Sequence, residues 1–406
     1  MAPWRTLQKA MNTMVGGDKT IVLAGKYNEM VNTVRSGTDG HRIAMKAAGQ
    51  VVTKTFDIAH QYITLEGFEM TAANQPFMMT ITGSHCEILN NTIHDTGAAW
   101  GVIRMNGATL TGCLIKGNRF YSATGPGNDL PLIIVSGRNN VIEGNEIGPA
   151  KDLDVFRVWG EGHIIRDNYI HDITFSPGSV AHMDVFQTFG VGGEGKVVAR
   201  NIVFESNRIV NFAGQICMNE HNGSAAGMRD WDIRNNIFVN VPQQANIGIP
   251  NMRFYNNTFY NVGASNGLVF SGYDNLPKGE STGARIMNNI IVSAENLLDY
   301  GGVMSLSGQG VTADYNYVAN IDGFRPLRGF AEAHGINGGD PRFVDASASI
   351  FDLQPGSPAI DKGLTLTGFG ADISKTVRPQ GRAWDIGAFE YRGKRAADPT
   401  PRPGAL

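Results

Sequence analysis

The chain has 406 residues, a formal net charge of -3, 42% hydrophobic residues and 17% charged residues. This balance excludes a disordered chain and argues against a general nucleic-acid binder, whose domain is usually basic. The three cysteines (Cys86, Cys113, Cys217) cannot build a disulfide framework, no CxxC pair marks zinc, and no apolar run reaches the ~20 residues that span a membrane. The thiols read as buried and free.

In chain order, Trp4, Leu7, Ala10, Met11 and Met14 recur at helical spacing, which predicts a short amphipathic helix plugging the N-terminal end. GDKTIVLAGKYNE follows as a turn and a first strand. Then one asparagine recurs nine times, each two positions before an apolar residue: Asn91, Asn118, Asn145, Asn168, Asn207, Asn236, Asn257, Asn289 and Asn316. The spacings are 27, 27, 23, 39, 29, 21, 32 and 27 residues, a unit of near-fixed length with insertions, which marks a solenoid. Each unit has room for short strands rich in β-branched and aromatic residues and none for long helices. The expected fold is all-β: a right-handed parallel β-helix with three strands per coil and about ten coils, ~4.8 Å apart. The asparagines would sit at corners, tolerate a left-handed conformation there, and hydrogen-bond from coil to coil as a ladder. Residues 1–392 form one domain, with 1–30 as the N-terminal cap and 340–392 as an irregular C-terminal cap. The proline-rich stretch 393–406 reads as a disordered tail.

The register aligns GVIRMNG, PLIIVSG, DVFRVWG and DVFQTFG by their closing glycines. Ile103, Ile133, Phe156, Phe186 and Cys217 then face inward, as do Met105, Val135, Val158 and Thr188. Outward stand Arg104, Ile134, Arg157, Gln187 and Met218, and beside them Asn106, Ser136, Trp159, Phe189 and Glu220. Exposed aromatics beside fixed polar groups suit a sugar. Asp154 and Asp184 share a strand position, so their carboxylates need Ca²⁺, a shared proton or an arginine. The longest insertion, between Asn168 and Asn207, holds His171, Asp172, His182, Asp184 and Gln187. His171 and His94 occupy equivalent places after their asparagines, which also fits a structural repeat. Further on, Glu220 and His221 end a strand, and Arg229 follows the next turn.

PWRTLQKAMNTMVGGDKTIVLAGKY, the IxxNxI coils and FDLQPGSPAIDKG…DIGAFEY together resemble bacterial right-handed β-helix proteins of the pectate-lyase-like superfamily, and HMDVFQ is similar to a His-x-Asp-x-x-Gln pattern on their catalytic coils. The resemblance implies a carbohydrate-active enzyme, first of all a lyase acting by β-elimination on a uronic-acid polymer. His182 would be the base, with His221 or Arg229 next. Arg104 and Arg157 would neutralise the sugar carboxylate, with Ca²⁺ on Asp154 and Asp184 as the candidate metal. Trp159, Gln187, Phe189, His171 and Arg229 would bind substrate. A glycoside hydrolase or phage-type depolymerase using Asp154, Asp184 and Glu220 is the alternative, and a noncatalytic carbohydrate-binding β-helix the third. The expected partner is a polysaccharide, with no nucleic acid and no membrane. A monomer is expected, or a trimer for a phage protein. The location expected is secreted or periplasmic, with any export signal already removed.

Overall fold

The computed structural model describes residues 3–71, 77–96, 101–124, 130–189, 197–214, 216–221, 227–241, 245–246, 249–262, 268–270, 281–293, 304–306, 310–327 and 330–393. The chain forms two compact units, residues 1–200 and 201–406. Among the described residues, no helix is long and apolar enough to cross a membrane. Most of the expected tail, residues 394–406, lies outside them.

In the first unit the helix Leu7–Thr13 buries Leu7, Ala10 and Met11. Thr6 caps it through Lys9 N, and the Glu29 carboxylate accepts from Leu7 N and Gln8 N at 2.9 and 3.0 Å. Trp4, expected on the buried face, is 46% exposed because it precedes the helix. Two long parallel strands follow, Lys19–Asn32 and Ile43–Ile58. The chain then settles into coils of three short strands. Gly101–Met105, Leu114–Lys116 and Arg119–Tyr121 stack in parallel on Leu130–Val135, Val141–Glu143 and Glu146–Ile147 of the next coil. Inside, Ile103, Ile133 and Phe156 stack in register, and all are fully buried.

The asparagine ladder is present in both units. Asn91, Asn118, Asn145 and Asn168 are buried in the first. Asn118 Oδ1, for example, accepts from Asn91 N at 2.9 Å and Asn91 Nδ2 at 3.0 Å. Asn207, Asn236, Asn257, Asn289 and Asn316 repeat this in the second unit, and the Glu332 carboxylate closes the row on Asn316. The left-handed residue is not the ladder asparagine but its predecessor. Asn90, Gly117, Gly144, Asp167, Ser206, Asn235, Asn256, Asn288 and Tyr315 all have φ between 52° and 66°. The ladder residue must aim its amide along the stack, so the chain reverses one position earlier, where mostly Asn, Gly, Asp and Ser absorb the strain. Asn145→Ala would take the side-chain partner from buried Asn118 N and one of the bonds to Ile115 O. It should cost about 3 kcal/mol, read as a lower urea midpoint with unchanged slope.

A second corner, five residues upstream, escaped the sequence reading. Cys86, Cys113, Asn140 and His163 stack there, each accepting from the backbone N–H of the residue before it in the row where a contact is defined: Cys113 Sγ from Cys86 N, Asn140 Oδ1 from Cys113 N, His163 Nδ1 from Asn140 N. Both cysteines are buried and free; the Cys217 side chain lies outside the described residues. Burial pushes the His163 imidazole down to about 4. Its folded value is depressed, so its contribution to stability is present above the ordinary ~6.5 and lost as pH falls toward 4. The loss should approach about 3 kcal/mol, and His163→Asn, which copies Asn140, should flatten that acid limb of the stability curve.

In the second unit the third strands of the last coils are buried on both faces, as in Ile290–Ser293 and Tyr317–Asn320. The C-terminal segment covers the outer face. Phe343, Phe351, Leu353, Ile386 and Phe389 pack against Ile237, Val239, Ile290, Val292 and Tyr317. The left-handed asparagines hold it by their side chains: Asn235 Nδ2 donates to Ala371 O, Asn256 Nδ2 to Asp385 O and Gly387 O, and Asn288 Nδ2 to Leu364 O. The irregular C-terminal cap therefore runs along the flank of the coils of this unit.

Candidate active site

The first strands of four successive coils in the first unit bring the expected residues together. Ile134 pairs with Arg104 on one side and Arg157 on the other, and Arg157 pairs with Gln187. Within each strand a carboxylate stands three residues before a donor, Asp154 before Arg157 and Asp184 before Gln187, so strand alternation would separate them by one face. Both pairs nevertheless close. Arg157 Nη2 lies 2.5 Å from Asp154 Oδ2, and Gln187 Nε2 donates to Asp184 Oδ2 at 2.7 Å.

Two further contacts join the pairs. Arg157 Nε donates to Gln187 Oε1 at 3.0 Å, and Asp184 N donates to Asp154 Oδ1 at 2.9 Å. His182, at the end of the inserted loop, places Nδ1 3.3 Å from Asp184 Oδ2. Asp152 holds that loop by accepting from Ser176 N at 3.0 Å. Both aspartate side chains are 0% exposed, whereas Arg157 is 17% and His182 25% exposed. The carboxylates thus sit under the surface, and the basic groups they hold reach it.

Burial drives the Asp154 carboxyl well above its ordinary range; the Asp184 charge adds to this and Arg157 opposes it. Two buried carboxylates beside one guanidinium favour a proton on one of them. The set does not fit Ca²⁺, which takes six to eight oxygens. Both Asp154 oxygens already accept from Asp184 N and Arg157, and Asp184 Oδ2 accepts from Gln187, so the guanidinium stands where a cation would be needed. Among the described residues, no group of three or more His, Cys, Asp or Glu is arranged to hold a metal.

The aromatic pair departs from its expected exposure. Trp159 is only 7% exposed, packed against Phe189 with ring centroids 6.2 Å apart, and its carbonyl meets His163 Nε2 at 2.9 Å. Ser136, expected outward, is also buried, its hydroxyl donating to Met105 O. Phe189 is half-buried beneath the Arg157 guanidinium, 5.5 Å from its ring centre. Arg104 lies over Phe77 at 5.2 Å.

The remaining candidates stand elsewhere. His171 is on the third strand, Tyr169–Thr174, stacked on Tyr169 and bonded to Asp172 at 2.9 Å. His94 repeats this with Tyr121 and Asp95. In the second unit Arg229 pairs with Asp230 at 3.1 Å, and Glu220 and His221 end the strand Ile216–His221 with their side chains outside the described residues.

No family model matches the chain, and no curated protein matches it in sequence. Solved structures do match in fold. XylC in complex with xylose is 13% identical, with a TM-score of 0.60 over 95% of this chain and 95% of that one. Pectate lyase Pel9A is 18% identical, with a TM-score of 0.51 over 95% of this chain and 90% of that one. Its parallel three-strand coils and these likenesses make the chain a right-handed parallel β-helix.

Proposed function

We propose that the chain is a polysaccharide lyase that cleaves a uronic-acid-containing polymer by β-elimination at the His182–Asp184–Arg157 cluster. The observation that carries this reading is the arrangement itself: two fully buried carboxylates present an arginine and a histidine to the surface. Arg157 would meet the sugar carboxylate and stabilise the charge that builds on it as the α-proton leaves. A protonated Asp154 leaves more of the guanidinium charge for the substrate. Asp184 would hold His182 through Nδ1, so the neutral ring carries its lone pair on Nε2 and takes that proton. The C–H electrons form the C=C bond, the glycosidic C–O bond breaks, and in a syn elimination the same imidazolium returns its proton to the leaving oxygen. The fold also carries the activity named for pectate lyase Pel9A.

The hydrolase reading asks Asp154 and Asp184 to touch the sugar, and their zero exposure disfavours it. A polymeric substrate fits a secreted or periplasmic protein. Incubation with a panel of acidic and neutral polysaccharides should give new reducing ends together with ultraviolet absorbance of the unsaturated product. Reducing ends without that absorbance would sink the lyase reading in favour of hydrolysis, and neither signal would point to a binding module.

A further inference from the structure

The second unit carries a cleft of about 570 Å³ on another strand face, that of the second strands. Asp232, Arg253 and Arg285 stand in register on three successive coils there, ~4.8 Å apart. Asp232 takes Arg253 through Nε and Nη2, and also takes Arg234, which pairs with Glu205 at 2.8 Å. Three guanidinium groups thus face two carboxylates. Arg285 is the surplus: it is exposed, and its side chain makes no hydrogen bond or ion pair with a described residue. Two stacked arginines repel, and among the described residues no carboxylate pairs with the second one.

The opposite wall comes from the C-terminal segment. Leu364 and Leu366 offer an apolar surface, and the exposed Thr365 and Thr367 offer hydroxyls. The wall is fixed, because Asn288 Oδ1 accepts from Leu364 N and its Nδ2 donates to Leu364 O, both at 2.8 Å. Tyr255 forms part of the floor, its phenol pushed up by burial and drawn down by Arg285 and Arg253. Asp230 also lines the cleft, but it is engaged by Arg229 and Asn251. The volume lies within the usual range for a small-ligand pocket.

We propose that this cleft is a second, noncatalytic binding site for the carboxylate of an acidic sugar. Arg285 grips the carboxylate by its planar fork, Leu364 and Leu366 pack on a C–H face of the ring, and Thr365 and Thr367 meet its hydroxyls. The choice of an acidic sugar rests on the lyase reading; the anion site rests on the unmatched arginine. Such a site would hold a polymer strand while another segment is cut, and would raise its effective concentration.

The test is calorimetric titration of the full chain carrying His182→Ala, so that no substrate is consumed, with uronate disaccharides and trisaccharides. Neutral disaccharides and sodium sulfate are the comparison ligands. Adding Arg285→Gln should weaken one class of uronate sites by at least about tenfold, while neutral sugars should not bind there and sulfate should bind more weakly. Uronate binding that Arg285→Gln leaves unchanged would overturn the proposal, as would equal binding of neutral sugar or of sulfate. Cleavage by the Arg285→Gln chain with His182 intact is measured in parallel and should be retained on short substrates. Cleavage without Arg285-dependent binding sinks only this site, and Arg285-dependent binding without cleavage sinks only the lyase reading.

Discussion

Replacing His182 with alanine is expected to lower kcat on the polymer by roughly 10²–10⁴-fold, the ordinary contribution of a positioned general base. The fold should be unaffected, since the ring is a quarter exposed and sits at the end of a surface loop. Asp184→Asn should also lose activity, because the amide no longer supports the positive charge on the ring and can hold the wrong tautomer. The substitution also relieves the repulsion on Asp154, whose carboxyl is raised by burial and by Asp184. Stopped assays of unsaturated product, paired with circular dichroism, check both variants. Full activity in His182→Ala would remove the base and with it the mechanism.

Replacing Arg378 with methionine is expected to destabilise the second unit by about 3–5 kcal/mol, as removal of one partner of a buried ion pair does. Arg378 and Glu390 are both fully buried, 2.9 Å apart. The guanidinium also donates to Gly387 O at 2.9 Å and to Asp385 O at 3.2 Å. Its loss leaves Glu390, Asp385 and Asp372 buried together with no cation among them, in the segment that covers the apolar flank. Pairing it with Glu390→Gln should recover part of the loss, because the uncompensated charge goes too. Urea unfolding of the four chains of this cycle measures the coupling. An additive double variant would show that the pair is not linked.

The site residues could be found in the sequence because a solenoid turns linear spacing into lateral position. Once the asparagines set the register, Arg104, Ile134, Arg157 and Gln187 had to line up, and they do. The same spacing shifted by five residues would have revealed Cys86, Cys113, Asn140 and His163, but the row mixes residue types and hides its period. The exposure of Trp159 was not readable, since strand alternation fixes the face of a side chain and not what packs over it.

By itself the amino-acid order determined the coil, the ladder and the stacking of Asp154 beside Asp184, because each depends on neighbours one repeat apart. The tertiary structure decided the rest. It put the two carboxylates out of reach of solvent and left His182 and Arg157 partly exposed, because burial depends on how loops of unrelated sequence close over a strand. It laid residues 340–392 along a flank, where apolar residues of the third strands needed cover. It also set Leu364–Thr367 opposite Arg253 and Arg285, a meeting of segments about a hundred residues apart that no periodicity encodes.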